Sequence, residues 1–219
     1  MRFNILDAVN DLKVKKSMAD KLSINEMAKQ LFSIGFECMM CGECCRATSG
    51  DNTVILFPDE IRLITDAYGM AMDDVCEHSI PQFIDDSGIL HCIEWVLKRH
   101  SSGDCILIQA DNTCRIYQQR PRICSTYPFF LSFTNGPAKP DIMVSECKGV
   151  GQPMNIEDAI KLAELLKGRL LAEIIEEINL LENLEEFEDW EPNSFYPGQG
   201  YKGYTIAVHD SSGMTYIAD

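Results

Sequence analysis

The stretch F-E-C-M-M-C-G-E-C-C-R-A-T-S-G-D, residues 36–51, sets Cys38, Cys41, Cys44 and Cys45 within eight positions. Thiolates packed this tightly repel one another, and each resists ionising unless a cation offsets the charge. A soft metal does so by taking the thiolates as ligands, so the spacing C-x2-C-x2-C-C points to a metal centre. Consecutive residues aim their side chains in different directions, which makes Cys44 and Cys45 awkward ligands for one ion. An economical arrangement has Cys38, Cys41 and Cys44 gripping one centre, with Cys45 turned toward another.

Four more cysteines follow at turn signals: Cys105 after Gly103-Asp104, Cys114 after Asp111-Asn112, Cys124 after Pro121, and Cys147 before Gly149. Eight thiols match by count the needs of two four-coordinate centres; one centre with several free thiols satisfies the same sequence. Zinc accepts four thiolates in a tetrahedron. A C-x2-C-x2-C run completed by a distant cysteine is the ferredoxin way of holding an iron–sulfur cluster, and the triple spacing favours [4Fe-4S] over zinc. Arg46 follows the run, and Arg115, Arg120 and Arg122 flank Cys114 and Cys124. Their guanidinium groups suit the cofactor-binding role of offsetting thiolate charge; surface ion pairs to the many carboxylates are the competing reading. Gly42, Gly149 and Gly151 let the backbone approach sulfur closely, or are simply turn residues. Cys76 and Cys92 fall away from turns and read as small buried hydrophobes.

The whole chain has 219 residues, 46% of them hydrophobic, enough for one good core and an appendage. With 19 basic against 34 acidic residues its net charge is −15, which argues against a nucleic-acid surface and against an anionic membrane. Asp7, Asn10, Asp11 and Lys13 stand where a signal peptide carries its apolar run, and no stretch is long and apolar enough to span a bilayer. A cytoplasmic location is therefore expected, where grouped thiols serve metals rather than disulfides.

Residues 1–35 read as two helices, with Ile5, Leu6, Val9, Leu12, Met18, Leu22, Met27 and Leu31 at helical spacing and a capping box restarting the chain at Ser23 and Glu26. Residues 36–152 form the cysteine-cluster metal-binding domain. There the spacing predicts a strand over 54–57, a helix entered through Pro58 and closed near Gly69, a strand over 89–99 pairing with 105–109, and two strands, 129–133 and 141–145, around a turn. Residues 153–190 predict a long amphipathic helix capped by Asn155, with its stripe on Ile156, Ile160, Leu166, Leu170, Ile174, Ile178, Leu181 and Leu184. That helix either packs on its own domain or meets a partner. Residues 191–219 are an aromatic and Gly-rich tail with one hairpin over 204–217. The fold class expected is α+β: a small, irregular, metal-stapled cysteine domain with short antiparallel strands, flanked by N-terminal helices and a long C-terminal amphipathic helix.

C-M-M-C-G-E-C-C, then C-I-L-I-Q-A-D-N-T-C-R-I-Y-Q-Q-R-P-R-I-C-S-T-Y-P-F and C-K-G-V-G, resembles the YkgJ-type cysteine-cluster proteins, the CxxCxxCC domain associated with zinc or iron chelation. The resemblance covers roughly residues 36–151 and implies metal ligation by Cys38, Cys41, Cys44, Cys45, Cys105, Cys114, Cys124 and Cys147. Many members carry a basic residue after the third distal cysteine, where this chain has Ser125. Flagellin lysine-N-methylases carry a similar cluster, which implies iron–sulfur chemistry in some relatives.

No phosphate-binding loop, dinucleotide fingerprint or nucleophile elbow occurs. His78, His91, His100 and His209 lack ligand spacing and read as satisfied or exposed imidazoles. The first functional expectation is an iron–sulfur protein of redox or maturation type acting with a protein partner. The alternatives are a zinc-stapled binding module without catalysis and a lysine methylase-like iron–sulfur enzyme.

Overall fold

The structure, a computed structural model, describes residues 5–46, 53–134, 139–184, 201 and 203–218. Part of the turn expected at 134–140, and the tail from Trp190 to residue 200, lie outside the described residues.

Two helices open the chain, α1 over Ile5–Asp20 and α2 over Ile24–Ile34. Between them Ser23 takes an extended conformation, and its hydroxyl accepts the Glu26 N–H at 3.3 Å. That bond satisfies one of the donors every helix start leaves open. Met27, Ala28 and Leu31 are the buried stripe of α2.

After the cysteine run come β1 (Ile55–Leu56), α3 (Pro58–Tyr68), α4 (Met72–Val75), β2 (Cys76–His78), β3 (Phe83–Ile84), β4 (Leu90–Ile93) and β5 (Trp95–Leu97). Pro58 opens α3, where its missing N–H costs nothing, and the Glu60 carboxylate accepts the Phe57 N–H at 3.1 Å. Next are α5 (Arg122–Thr126), β6 (Phe129–Ser132), β7 (Asp141–Val144), the 29-residue α6 (Ile156–Leu184), β8 (Thr205–Asp210) and β9 (Gly213–Ala218). The mixture of helices with short, mainly antiparallel strands is the α+β class expected.

The chain divides into two units. The first comprises Met1–Val9, Thr53–Lys98 and Glu176–Asp219; the second, Asn10–Asn52 and Arg99–Ile175. In the first unit β5 lies between β1 and β2, both antiparallel to it, and a four-stranded sheet runs β3-β4-β8-β9. Its β4 and β8 are parallel, with Leu90 opposite Ile206 and Cys92 opposite Val208. Leu56, Ile64, Val75, Leu90, Ile206 and Val208 are fully buried there. The Trp95 indole N–H donates to the Asp210 carboxylate at 3.0 Å, giving both buried polar groups a partner.

The strand read over 89–99 is corrected by this arrangement. Glu94 sits at φ 73, a left-handed conformation that interrupts a strand, so β4 and β5 join different sheets. Residues 105–109 form no strand; they contribute only the isolated bridges of Arg99 with Cys105 and Ile108 with Cys114.

In the second unit β6 and β7 form a hairpin in the register Phe129–Val144 to Ser132–Asp141. Phe129 is wholly buried and meets Phe36 edge-on at 5.5 Å between ring centroids. The Asn155 side chain accepts the Asp158 N–H at 2.8 Å, capping α6 as expected. Leu166, Leu170, Ile174, Ile178 and Leu184 are buried along it, whereas Ile156, at the first turn, is exposed. Lys167 donates to the carbonyls of Asp20 and Leu22 at 2.8 and 3.0 Å, tying the helix to the end of α1. No helix among the described residues is long and apolar enough to cross a membrane.

Candidate metal centre

All eight cysteines of the two sequence sets belong to the second unit, and every one is a free thiol. The backbone brings them together in two places. Phe36 bridges Val150 in antiparallel fashion and the Glu37 N–H donates to the Gly149 carbonyl at 3.0 Å, so the residue before Cys38 lies beside the segment after Cys147. This approach requires glycine: a Cβ on Gly149 would stand 2.2 Å from the Glu37 oxygen. At the other end of the run the Cys105 N–H donates to the Cys45 carbonyl at 2.7 Å. Gly42, at φ 72, backs onto the next turn, where a Cβ would stand 2.7 Å from the Asn112 oxygen. Residues Glu43–Cys45 form one 3-10 turn, which places the Cys44 and Cys45 sulfurs 3.9 Å apart.

Cys38, Cys41 and Cys44 are exposed, Cys45, Cys114, Cys124 and Cys147 partly so, and Cys105 is buried. The Cys45 thiol, hydrogen-bonded to Cys105 and Cys44, is pushed up, and it draws Cys44 and Cys105 down to about 7. Burial followed by the charges of neighbouring thiolates pushes Cys114, Cys124 and Cys147 upward. Burial and neighbouring charge thus oppose ionisation of Cys114, Cys124 and Cys147, and a metal that takes the thiolates relieves both. Among the described residues no three of these side chains already stand in closed ligand geometry around one point. The donor chemistry nonetheless fits a soft metal: eight reduced sulfurs, two backbone approaches that only glycine permits, and cationic side chains at the edge.

The four arginines singled out in the sequence are placed differently from one another. Arg120 lies within electrostatic reach of Cys44, Cys114 and Cys124, where its charge partly opposes burial, while its guanidinium packs 3.9 Å over the Tyr117 ring and donates to the Tyr117 carbonyl. Arg46 pairs with Asp104 at 3.2 Å and with the Asn112 side chain, bracing the Cys105–Cys114 segment. Arg115 is exposed and Arg122 partly buried at the start of α5. Two cations escaped the sequence reading. Arg99 lowers Cys105 and donates to the Gly103 carbonyl at 2.8 Å, and Lys148 pairs with Glu43 beside Cys44. Lys148 was legible as the neighbour of Cys147; Arg99 sits six residues from its thiol in sequence and needed the Arg99–Cys105 bridge. Ser125 directs its hydroxyl to the Arg120 carbonyl at 3.1 Å, a local cap on the turn that carries Cys124.

Cys76 and Cys92 lie in the first unit, buried and each pushed up to about 12 by burial first, as inert hydrophobic thiols. Of the histidines, His100 is exposed, and the other three belong to the first unit.

An α+β chain that gathers eight reduced thiols around glycine-permitted backbone contacts has the donor set of a metal-chelating domain. Residues 37–164, more than half of the chain, match the family model CxxCxxCC, described as "Putative zinc- or iron-chelating domain". The chain belongs to this family, and it binds metal through a domain of the zinc- or iron-chelating kind. No curated protein and no solved structure matches it.

Proposed function

We infer that the cysteines hold iron as a [4Fe-4S] centre and that the chain serves a protein partner in electron transfer or in maturation of that partner, in the cytoplasm. The observation that carries this reading is the exposure of the triple run: Cys38, Cys41 and Cys44 face solvent, with Met39 and Met40 between them 56% and 50% exposed. A structural zinc site has its four positions filled by protein and needs no access, whereas an electron-passing centre must be approachable by its partner. A cluster bound here would supply one-electron chemistry. The chain's own residues do the rest: Arg120 and Arg99 offset thiolate charge, and the flanking methionines offer an apolar, deformable rim to a partner. The acidic surplus keeps nucleic acid away.

Anaerobic purification with iron and sulfide analysis tests the reading. The expected protein is brown, with a visible charge-transfer band that bleaches on reduction by dithionite and a reduced-state EPR signal. A colourless protein holding zinc overturns it in favour of the zinc-stapled module, which uses the same ligands. With either metal, complete chelation is expected to unfold the second unit, because metal-binding energy there is folding energy; circular dichroism before and after chelation reads this.

A further inference from the structure

We propose that the cysteines form two separate four-thiolate centres divided between the adjacent residues Cys44 and Cys45: an outer centre of Cys38, Cys41, Cys44 and Cys147, and an inner one of Cys45, Cys105, Cys114 and Cys124. The proposal rests on the metal-binding reading but not on which metal is bound.

Backbone contacts draw the division. The Phe36–Val150 bridge and the Glu37–Gly149 bond run the start of the cysteine motif against the segment that carries Cys147. The Lys148–Glu43 ion pair then pulls that same segment to the turn holding Cys44. At the far end of the motif, the Cys45 carbonyl takes the Cys105 N–H, Arg46 holds Asp104 and Asn112, and Gly42 backs onto Asn112 and Ile108. The Ile108–Cys114 bridge sets Cys114 alongside, and a chain of hydrogen bonds, Tyr117 N–H to the Cys114 carbonyl, Arg120 to the Tyr117 carbonyl and the Ser125 hydroxyl to the Arg120 carbonyl, folds the turn that carries Cys124 back toward Cys114. Cys44 stands at the boundary, its sulfur 3.9 Å from that of Cys45. Its assignment follows from coordination number: the inner group already has four sulfurs, and the outer group has three without it.

Exposure separates the centres as well. Three outer ligands are exposed, whereas the inner group contains Cys105, buried at 5% exposure, whose sulfur also accepts the Leu107 N–H at 3.5 Å. The outer centre is therefore the exchangeable, partner-facing one, and the inner centre is the staple that folds the unit.

Metal counting on ligand variants of the full chain, by elemental analysis, tests the division for whichever metal the purified protein holds. Cys38→Ser with Cys41→Ser is expected to halve the metal content while circular dichroism stays native. Adding Cys147→Ser, or separately Cys44→Ser, to that pair removes no more; adding Cys114→Ser removes the remainder. A single centre is indicated, and the proposal overturned, if the first pair abolishes all binding in a folded chain, or if Cys147→Ser deepens the loss. Should the first pair unfold the protein, the wild-type chain decides by its time course in limiting chelator. Two phases of equal amplitude, the fast one preceding any change in circular dichroism, support two centres; one phase overturns them. For iron as [4Fe-4S], wild type is expected to hold about eight irons per chain. Zinc in place of iron would defeat the preceding functional reading and leave this count intact.

Discussion

At the single-residue scale, His209 shows what the fold does to an ordinary titratable group. Its ring lies 2.7 Å from that of His91, both are nearly inaccessible at 3% and 2% exposure, and His91 reaches on to the Asp85 carboxylate at 3.3 Å. Phe83 stacks on His91 at 4.2 Å. Burial first, and then the charge of His91, hold the His209 imidazole down from 6.5 to about 4, with Asp210 opposing. The folded state thus favours the neutral ring. The unfolded chain takes up the proton first as pH falls, so this contribution to stability is complete above about pH 6.5 and is lost on descent toward pH 4. Thermal unfolding of the first unit should weaken across that window, and the His209 ring resonances should titrate below the free-histidine range. A His209 signal titrating at the ordinary value would contradict the buried pair. The sequence shows four histidines without ligand spacing, which read as satisfied or exposed imidazoles; it could not show that two of them, 118 positions apart, satisfy one another.

At the scale of elements, α6 combines features readable from neighbouring residues. Asn155 is its cap, and Asn155→Ala should cost about 1 kcal/mol by leaving a helix-start donor without its side-chain partner. Gly168 sits in the exposed interior of the helix with nothing within 4 Å of where a Cβ would be. Gly168→Ala should therefore stabilise the protein by about 0.5–1 kcal/mol, since alanine loses less backbone freedom on folding. Urea denaturation of the two variants, with metal content held equal, reads both. Loss of stability at Gly168→Ala would mean that a neighbour closes on that position. The buried stripe of α6 favours packing within its own chain over the partner-binding alternative; in its first turn Ala159 is buried while Ile156 faces outward. The strand over 89–99 failed as one element for an equally local reason with a distant cause. The Glu94 N–H is taken by the His209 carbonyl at 2.8 Å and its carbonyl accepts the Ser79 N–H at 3.2 Å, contacts that hold the residue outside strand geometry.

For the molecule as a whole, the C-terminal hairpin matters more than its tail-like composition suggests. β8 is an interior strand between β4 and β9, and its residues Ile206 to Asp210 are all buried. Removing residues 201–219 should expose the β4 edge, take His209 from His91 and Asp210 from Trp95, and disrupt the first unit, as near-UV circular dichroism would report. If the truncated chain kept a native spectrum, the hairpin would be an ornament rather than a core strand. The cysteine cluster lies wholly in the second unit, so metal binding offers a separate readout in the same truncated protein.

The chain's local grammar was enough to announce eight thiols of metal-binding type, the paired N-terminal helices, the capped long helix and the closing hairpin. Capping, helical periodicity and turn chemistry act between residues a few positions apart, and sulfur keeps its affinity for soft cations wherever it is placed. Folding in three dimensions decided which cation faces which sulfur, that β8 would lie parallel to β4, and that Glu37 would meet Gly149 while Cys45 met Cys105. Each of those outcomes depends on backbone groups far apart in sequence finding one another's hydrogen bonds, and no short window of residues encodes that meeting.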